Sequence, residues 1–249
     1  MRRIYISLVL ISLIACQEKE KSPTAQEIVD NSIEVSGGKN YLNSNVDFDF
    51  RDIHYSSILE DGHKVLRRVI TNDTSVIVDR KANTGFERFV NDSLIILADT
   101  SANKYANSVN SVHYFAYLPF GLNDRAVKKE LLGKVEIKDK TYYKVKVSFS
   151  EEGGGDDFDD VYVYWFNTET FKPDYLAYEF HVNGGGQRFR EAYNERYIGD
   201  IRFVDYKNYK PKVENTSIFK IDSLYINDQL ELLSNIALEN VKVNRGNYN

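Results

Sequence analysis

Cysteine is almost absent from this chain, because Cys16 is the only one among 249 residues. A lone cysteine excludes an intrachain disulfide, and it leaves a cysteine-based zinc site or a Cys–His nucleophile pair without its other members. The four histidines are scattered and form no H-E-x-x-H pattern. The sequence also lacks a P-loop, a G-x-G-x-x-G fingerprint and a G-x-S-x-G elbow. We therefore expect no cofactor, no metal and no catalytic residue of these types.

The chain also has fewer basic than acidic residues, and it lacks long apolar segments. The chain has 32 lysine and arginine residues against 37 aspartate and glutamate residues, which gives a formal charge of −5. Without a basic stripe, it is not expected to bind nucleic acid. The longest apolar stretch, residues 4–15, is shorter than the roughly 20 residues that a membrane-spanning helix needs. Four prolines and no Pro/Ser-rich linker favour a single domain at 24–249.

The apolar stretch near the start has the features of a secretory signal peptide. Arg2 and Arg3 precede it, and Leu13-Ile14-Ala15-Cys16 at its end resembles the bacterial lipobox. In lipoproteins of that class, the signal is cut before the cysteine, which is diacylated on sulfur and acylated on its new amino group. The resemblance implies a signal peptide at 1–15, lipid attachment at Cys16 and a tether at 16–23. The alternatives are an ordinary signal peptide or an incidental cysteine.

Two helices are predicted between this tether and the middle of the chain. Thr24 and Glu27 have the spacing of a capping box, which starts a helix that Gly37 ends. Apolar residues at helical spacing predict a second helix at 100–118. The segment 228–239 is compatible with a further short helix.

Strand patterns dominate the rest of the sequence, which is rich in aromatic residues. Eighteen tyrosines and 14 phenylalanines favour strands, and turn residues separate the apolar runs. The chain has no βαβ pattern. We predict a mainly β (α+β) fold with a large curved antiparallel sheet, or incomplete β-barrel, of about ten strands and about two or three covering helices.

Two of the predicted strands carry a candidate ligand site. Their apolar side chains alternate with a period of two, so they share one sheet face. A strongly curved sheet of this size leaves an interior that can hold a ligand. We predict a hydrophobic cavity lined by Tyr143, Val145, Val147, Phe149, Leu176, Tyr178 and Phe180. The alternative for each of these residues is an ordinary core position.

An acidic, glycine-rich segment at 151–160 is the sequence's candidate calcium loop. Its glycines precede its aspartates, and no glutamate stands at the twelfth position, so it does not match an EF-hand. A solvated hairpin loop between two strands is the favoured interpretation. Calcium binding by another geometry remains an open alternative.

Several motifs resemble an uncharacterised family of Bacteroidota outer-membrane lipoproteins. They are YLPFGLND at 117–124, followed by LLGKVEI, YYKVKVSF, DDFDDVYVYWF, TFKPDYLAY and FREAYN. The order of helices and strands is more distantly similar to the LolA/LolB lipoprotein-carrier superfamily. That resemblance implies a half-barrel whose helices close an apolar cavity that receives acyl chains.

The sequence as a whole predicts a non-enzymatic, membrane-anchored envelope lipoprotein that binds a lipid or acyl chain. Gln17 after the cysteine is compatible with sorting to the outer membrane, and the periplasmic face is favoured. Its expected partners are the membrane, through the acyl anchor, and a lipid or lipoprotein ligand. One alternative is an envelope protein that binds a protein partner without a ligand. Another is a carboxylate-dependent hydrolase of envelope glycans or lipids, which needs two acids across a cleft.

Overall fold

Two open antiparallel sheets of seven strands each form most of the chain. They are described in a computed structural model that covers residues 22–152, 159–181, 184–213 and 216–245. Sheet A contains β1 (Ser44–Phe50), β2 (Ile53–Glu60), β3 (His63–Thr71), β4 (Val76–Ala82), β5 (Gly85–Val90), β6 (Ser93–Ile95) and β14 (Glu239–Arg245). Sheet B contains β7 (Val127–Ile137), β8 (Lys140–Phe149), β9 (Val161–Asn167), β10 (Pro173–Phe180), β11 (Gly186–Ile198), β12 (Ile201–Pro211) and β13 (Leu230–Ile236).

The strand order shows how the two sheets follow one another. Sheet A runs β14-β1-β2-β3-β4-β5-β6, and sheet B runs β13-β12-β11-β10-β9-β8-β7. The chain passes directly from β13, at the edge of sheet B, to β14, at the edge of sheet A. Strands β6 and β7 form the two other edges. This arrangement is consistent with an incomplete barrel that stays open between β6 and β7.

Four α-helices and two short 3-10 helices accompany the sheets in the described part of the chain. They are α1 (Ala25–Val35), α2 (Asn40–Asn43), α3 (Asp99–Ala116) and α4 (Ile221–Ile226), with 3-10 turns at Phe120–Asn123 and Ile218–Lys220. The predicted capping box is present, because the Thr24 side chain accepts a hydrogen bond from Glu27 N and the Glu27 carboxylate accepts one from Thr24 N. None of the described helices has the length and apolar character needed to cross a membrane.

Helices α1 and α4 pack on opposite faces of sheet B. Ile28 and Val29 of α1 belong to a buried cluster that includes Val145, whereas Ile221 of α4 belongs to a second cluster that includes Trp165. We call the side that carries α1 the inner face and the side that carries α4 the outer face. Because both faces are covered, the central strands β9 and β10 carry buried apolar residues on both sides.

Helix α3 covers sheet A, with apolar contacts in its C-terminal half and polar contacts in its N-terminal half. Ala116, near its C-terminus, belongs to a buried cluster that includes Phe48 of β1. Under its N-terminal half, Arg68 and Arg88 both bind the fully buried carboxylate of Asp79, and Arg68 also donates to Ser108 of α3 at 2.8 Å. The ion cluster thereby satisfies charges that would otherwise be buried alone.

The predicted fold class is confirmed, since the chain is mainly β with open antiparallel sheets and covering helices. Fourteen strands are described, and one of them, β13, comes from a segment that the sequence suggested was helical. That suggestion for residues 228–239 is wrong: β13 occupies most of it, paired along the edge of β12. Leucine and glutamate favour helices locally, but pairing with a long exposed strand edge overrides such a preference.

Candidate functional site

Two predicted features lie outside the described residues. Cys16 and the signal peptide precede residue 22, where the description begins. Residues 153–158 of the acidic loop are likewise outside it. The lipid attachment and most of the candidate calcium loop therefore remain predictions.

The seven residues predicted to line a cavity share the inner face of sheet B. Val145 of β8 and Leu176 of β10 are both opposite Tyr164 of β9, and Val147 and Tyr178 are both opposite Tyr162. Residues directly opposite one another in antiparallel strands point to the same side. These side chains therefore form cross-strand rows, which run from β8 across β9 to β10 on the side that carries α1.

Four of these seven residues are buried beneath helix α1. They are Tyr143, Val145, Val147 and Leu176, and they form one cluster with Ala25, Ile28 and Val29 of α1 and with Leu118 and Leu122. In this conformation α1 fills the position over the middle of the inner face. These four residues act here as core, which was the alternative for each of them.

The other three predicted residues continue the same face beyond the helix. Phe149, Tyr178 and Phe180 are half-buried, as is Tyr162 of β9. We call these four side chains the aromatic face. Ring centroids lie 5.7 Å apart for Phe149 and Tyr162, 5.5 Å for Tyr162 and Tyr178, and 6.0 Å for Tyr178 and Phe180. Such spacings are typical of favourable aromatic pairs.

The C-terminal end of α3 borders the aromatic face. The ring of Tyr114 lies 6.5 Å from that of Phe149, and Phe115 packs against the same buried cluster. Gly121 allows this approach, because a Cβ atom there would stand 2.5 Å from a Tyr114 ring carbon. Burial raises the pKa of Tyr114, so its hydroxyl stays protonated and can donate a hydrogen bond.

Two arginines of β11 lie in the same rows as the aromatic side chains. Arg190 is opposite Leu176, and Arg188 is opposite Tyr178. The Arg190 guanidinium lies 5.1 Å from the centroid of the Tyr178 ring and 5.7 Å from that of Phe115, within cation–π range. Neither arginine forms an ion pair with a carboxylate of the described residues.

A small polar cluster holds α1 against the 3-10 turn that follows α3. Asn123 donates through Nδ2 to Asp30 Oδ1 at 2.7 Å and accepts at Oδ1 from Gln26 Nε2 at 2.9 Å. Lys129 Nζ also donates to Asn123 Oδ1, at 2.9 Å. We call this cluster the Asn123 latch. Its bonds are exposed to solvent, where each contributes only about 0.5–1.5 kcal/mol.

An open cleft lies at the end of sheet B where the aromatic face ends. It has a volume of about 1110 Å³, and its lining includes Phe180, Arg188, Lys210 and Phe219. Phe180 is the one member of the seven predicted residues that lines it. Ile218 of the outer-face cluster lines it as well, so the cleft lies at the end of the sheet and borders both faces.

A second pocket, of about 550 Å³, lies on the outer face and gathers carboxylates. Its lining includes Glu136, Asp139, Glu191 and Asp228, the kind of grouping that a hydrolase would need. Burial works against ionisation of Glu191, but hydrogen bonds from Lys138 and Tyr225 and the charges of nearby lysines lower its pKa. A carboxylate held ionised in this way is unsuited to act as a general acid.

Two aspartates and a histidine meet beside the acidic loop. Potential ligand atoms of Asp159, Asp160 and His181 lie within 4.8 Å of one another. Exposed carboxylate and imidazole groups commonly meet at such distances, and the rest of the loop is outside the described residues. Calcium binding by this segment stays an untested alternative.

Sequence reasoning missed several residues of the inner face. Tyr162 and Tyr164 belong to VYVYWF, in which both alternating sets are apolar, so the pattern could not assign a face. Arg188 and Arg190 resemble the polar half of a solvent-exposed strand. Their position became visible only through pairing with β10.

Comparison with curated proteins finds no match. Among solved structures, the chain is similar to a LolA superfamily protein from Nitrosomonas europaea, with 13% identity, a TM-score of 0.48, and coverage of 89% of this chain and 94% of that one. It is also similar to a DUF1329 family protein from Desulfovibrio piger, with 8% identity, a TM-score of 0.46, and coverage of 89% and 93%. The model of a family of unknown function, DUF6503, matches residues 2–240, and the chain belongs to this family.

Proposed function

We propose that this protein is a non-enzymatic, membrane-anchored lipoprotein that binds a lipid or acyl chain on the inner face of sheet B. One observation carries the proposal. An apolar sheet face is covered in its middle by α1 together with Leu118 and Leu122, and it continues as a half-exposed aromatic face toward an open cleft at the end of the sheet. Apolar faces of this kind bind ligands mainly through loss of water-exposed area.

The ligand would take the place of α1 over the middle of the face. Ile28 and Val29 are the fully buried apolar residues of this helix. Burial of two such side chains contributes about 3–6 kcal/mol, whereas an acyl chain contributes about 0.8 kcal/mol for each buried CH2 group. A chain of roughly ten CH2 groups can therefore offset the loss of burial of these two side chains. The solvent-exposed Asn123 latch adds only a modest barrier.

The proposed anchor is Cys16, acylated after removal of residues 1–15. The lipobox-like sequence and Gln17 support attachment to the outer membrane, and we propose its periplasmic face. Two or more acyl chains anchor a protein stably, whereas one binds only marginally. The folded domain would then begin with Thr24, the N-cap of α1.

Energy transfer from the only tryptophan tests the binding site directly. Trp165 lies in β9 next to Tyr164, so a polyene lipid bound to the inner face accepts its emission at a fixed short distance and with a saturable dose dependence, unlike the same lipid dispersed in detergent micelles. We would titrate the full chain in micelles with the uncharged methyl ester of cis-parinaric acid. Saturable transfer is expected. Its absence would contradict the proposal.

A reversible cross-link between α1 and the 3-10 turn that follows α3 provides the matched control. Gln26 and Asn123 contact one another at 2.9 Å, so a Gln26→Cys/Asn123→Cys variant can be bridged by a bis-maleimide with a reducible spacer. The bridged variant should lose most of the energy transfer and regain it on reduction. Each single-cysteine variant, treated with the same reagent, should bind normally. Unchanged binding by the bridged protein would exclude ligand entry under α1.

A second candidate function is the binding of a protein partner at the edge of sheet A. The short edge strand β6 exposes Leu94, and the adjacent Ile96 has 95% of its surface exposed. Unpaired strand edges with apolar residues favour association with other chains. An Ile96→Lys substitution that removes cross-links to a partner in cells while leaving lipid binding intact would favour this function.

A further inference from the structure

Among the described residues, eight buried side-chain polar atoms have no hydrogen-bond partner, and three of them belong to β11, β12 and the C-terminal end of α3. These three are Arg190 Nε, Asn208 Oδ1 and the hydroxyl oxygen of Tyr114. Buried polar atoms in folded proteins almost always have a partner, so each exception calls for an explanation. Where several such atoms lie near one another, one explanation is that they bind a polar group of a ligand.

These atoms belong to one neighbourhood. Arg190 and Asn208 are directly opposite one another in β11 and β12. The Arg190 guanidinium lies 5.7 Å from the ring of Phe115, the neighbour of Tyr114 in α3. The Tyr114 ring lies 6.5 Å from that of Phe149 of the aromatic face. Arg190 and Tyr114 therefore both lie beside the border between the buried part of the inner face and the aromatic face.

Arg190 is the charged group of this neighbourhood. Its Nη2 donates to the Tyr178 hydroxyl at 3.1 Å, and its guanidinium contacts two aromatic rings, but none of the described carboxylates pairs with it. A half-buried guanidinium without an anion is costly, because burial disfavours an uncompensated charge. Guanidinium groups bind carboxylate and phosphate oxygens with strong, directional hydrogen bonds.

Building on the proposed function, we propose that Arg190, assisted by the Tyr114 hydroxyl, binds the anionic headgroup of the ligand. The ligand class is then an amphiphile with an anionic oxygen headgroup, a carboxylate or a phosphate, on an apolar chain. The chain extends from there into the position of α1, as the proposed function requires, and Tyr162 and Tyr178 offer flat apolar contact beside the headgroup. The neutral Tyr114 donates one hydrogen bond, and the guanidinium supplies charge and further donors.

The test compares two ligands that differ only in charge. Energy transfer from Trp165 is titrated in the full chain with cis-parinaric acid and, separately, with its methyl ester. We expect the acid to bind about tenfold or more tightly than the ester, as a charge-assisted hydrogen bond implies. The Arg190→Gln variant should bind both ligands with the affinity of the ester, and Arg190→Lys should restore part of the preference.

A neighbouring arginine supplies the matched control. Arg188 lies one row closer to the end of the sheet, over the ring of Phe180 at 4.9 Å. Arg188→Gln should keep at least most of the preference for the acid. Displacement of the bound acid by dodecanoate and by dodecyl phosphate then identifies which headgroup is preferred.

The outcomes separate this inference from the proposed function. If the ester binds saturably but the acid binds no better, or if Arg190→Gln retains the preference, the assignment to Arg190 is wrong while apolar binding stands. If neither ligand gives saturable transfer in the wild-type chain, the proposed function fails as well. Retained ester binding in Arg190→Gln shows that the variant is folded.

Discussion

His113 links the stability of the molecule to pH. Its ring is buried at the C-terminal end of α3, where Nε2 donates to the Arg67 carbonyl oxygen at 3.1 Å and Nδ1 lies 3.3 Å from the Tyr117 hydroxyl. Burial lowers the pKa of His113 to about 4. In the unfolded chain the pKa is about 6.5, so the unfolded state takes up a proton first as the pH falls.

The expected result is a loss of stability between about pH 6.5 and about pH 4 that amounts to about 3 kcal/mol from this residue. Urea unfolding at several pH values, followed by Trp165 fluorescence, measures it. In His113→Phe the difference between neutral and acidic pH should shrink by that amount. The exposed His63 is the matched control, since His63→Gln should leave the pH profile as it is. An identical profile in His113→Phe would contradict the assignment.

Asp222 holds α4 on the outer face of sheet B through a buried ion pair. Its Oδ2 accepts from Lys144 Nζ at 2.6 Å and from Trp165 Nε1 at 3.1 Å. We expect Asp222→Ala to lower the free energy of unfolding by about 3–5 kcal/mol, because Lys144 is left buried without an anion. Urea titration measures the change.

The control for this ion pair replaces both partners. Lys144→Met with Asp222→Leu should restore most of the lost stability, since apolar residues of similar size often substitute for a buried pair. A loss below about 1 kcal/mol in Asp222→Ala, the value typical of exposed pairs, would show that the pair is solvated in solution.

At the scale of elements, the proposed function requires α1 to move away from the inner face. Removal of the latch in Asn123→Ala should speed hydrogen exchange of the α1 amides, because local opening costs less when fewer contacts oppose it. The expected acceleration is about threefold to tenfold, which corresponds to the loss of one or two exposed hydrogen bonds. Amides of β8 and β9 should keep their protection.

A variant of the same cluster distinguishes opening of α1 from general weakening. Lys129→Gln retains a donor toward Asn123 and should change the exchange of α1 by much less. If Asn123→Ala accelerates exchange in β8 and β9 as strongly as in α1, the helix does not open as a separate unit. The latch would then be an ordinary stabilising contact.

Local signals in the sequence account for most elements but not for their partners. The Thr24 capping box and the alternation in β8 predicted α1 and the correct sheet face, because both depend on short-range spacing. The strand at 230–236 was missed because its edge pairing with β12 is a long-range effect. The role of Arg190 could not be predicted either, since it alternates with Phe189 like a residue of a solvent-exposed strand face, and its true position depends on long-range pairing with β10.

At the scale of the whole molecule, the proposed anchor and the movable helix are neighbours in the chain. The tether at 16–23 spans at most about 28 Å when fully extended. An acylated Cys16 would therefore hold α1, which begins at Ala25, close to the leaflet.

The last prediction concerns this arrangement. Cys16→Ser should lose incorporation of an alkyne-labelled fatty acid and move from the membrane fraction to the soluble fraction, whereas Gln17→Ala should keep both properties. Transfer of cis-parinaric acid from vesicles to the site near Trp165 should slow in Cys16→Ser, although the affinity for the acid in micelles is unchanged. The separation of rate from affinity matters, because an anchor alters how often domain and membrane meet and leaves the inner face itself intact. An unlabelled wild-type chain would exclude the anchor. Equal transfer rates would show that proximity to the leaflet has no part in ligand uptake.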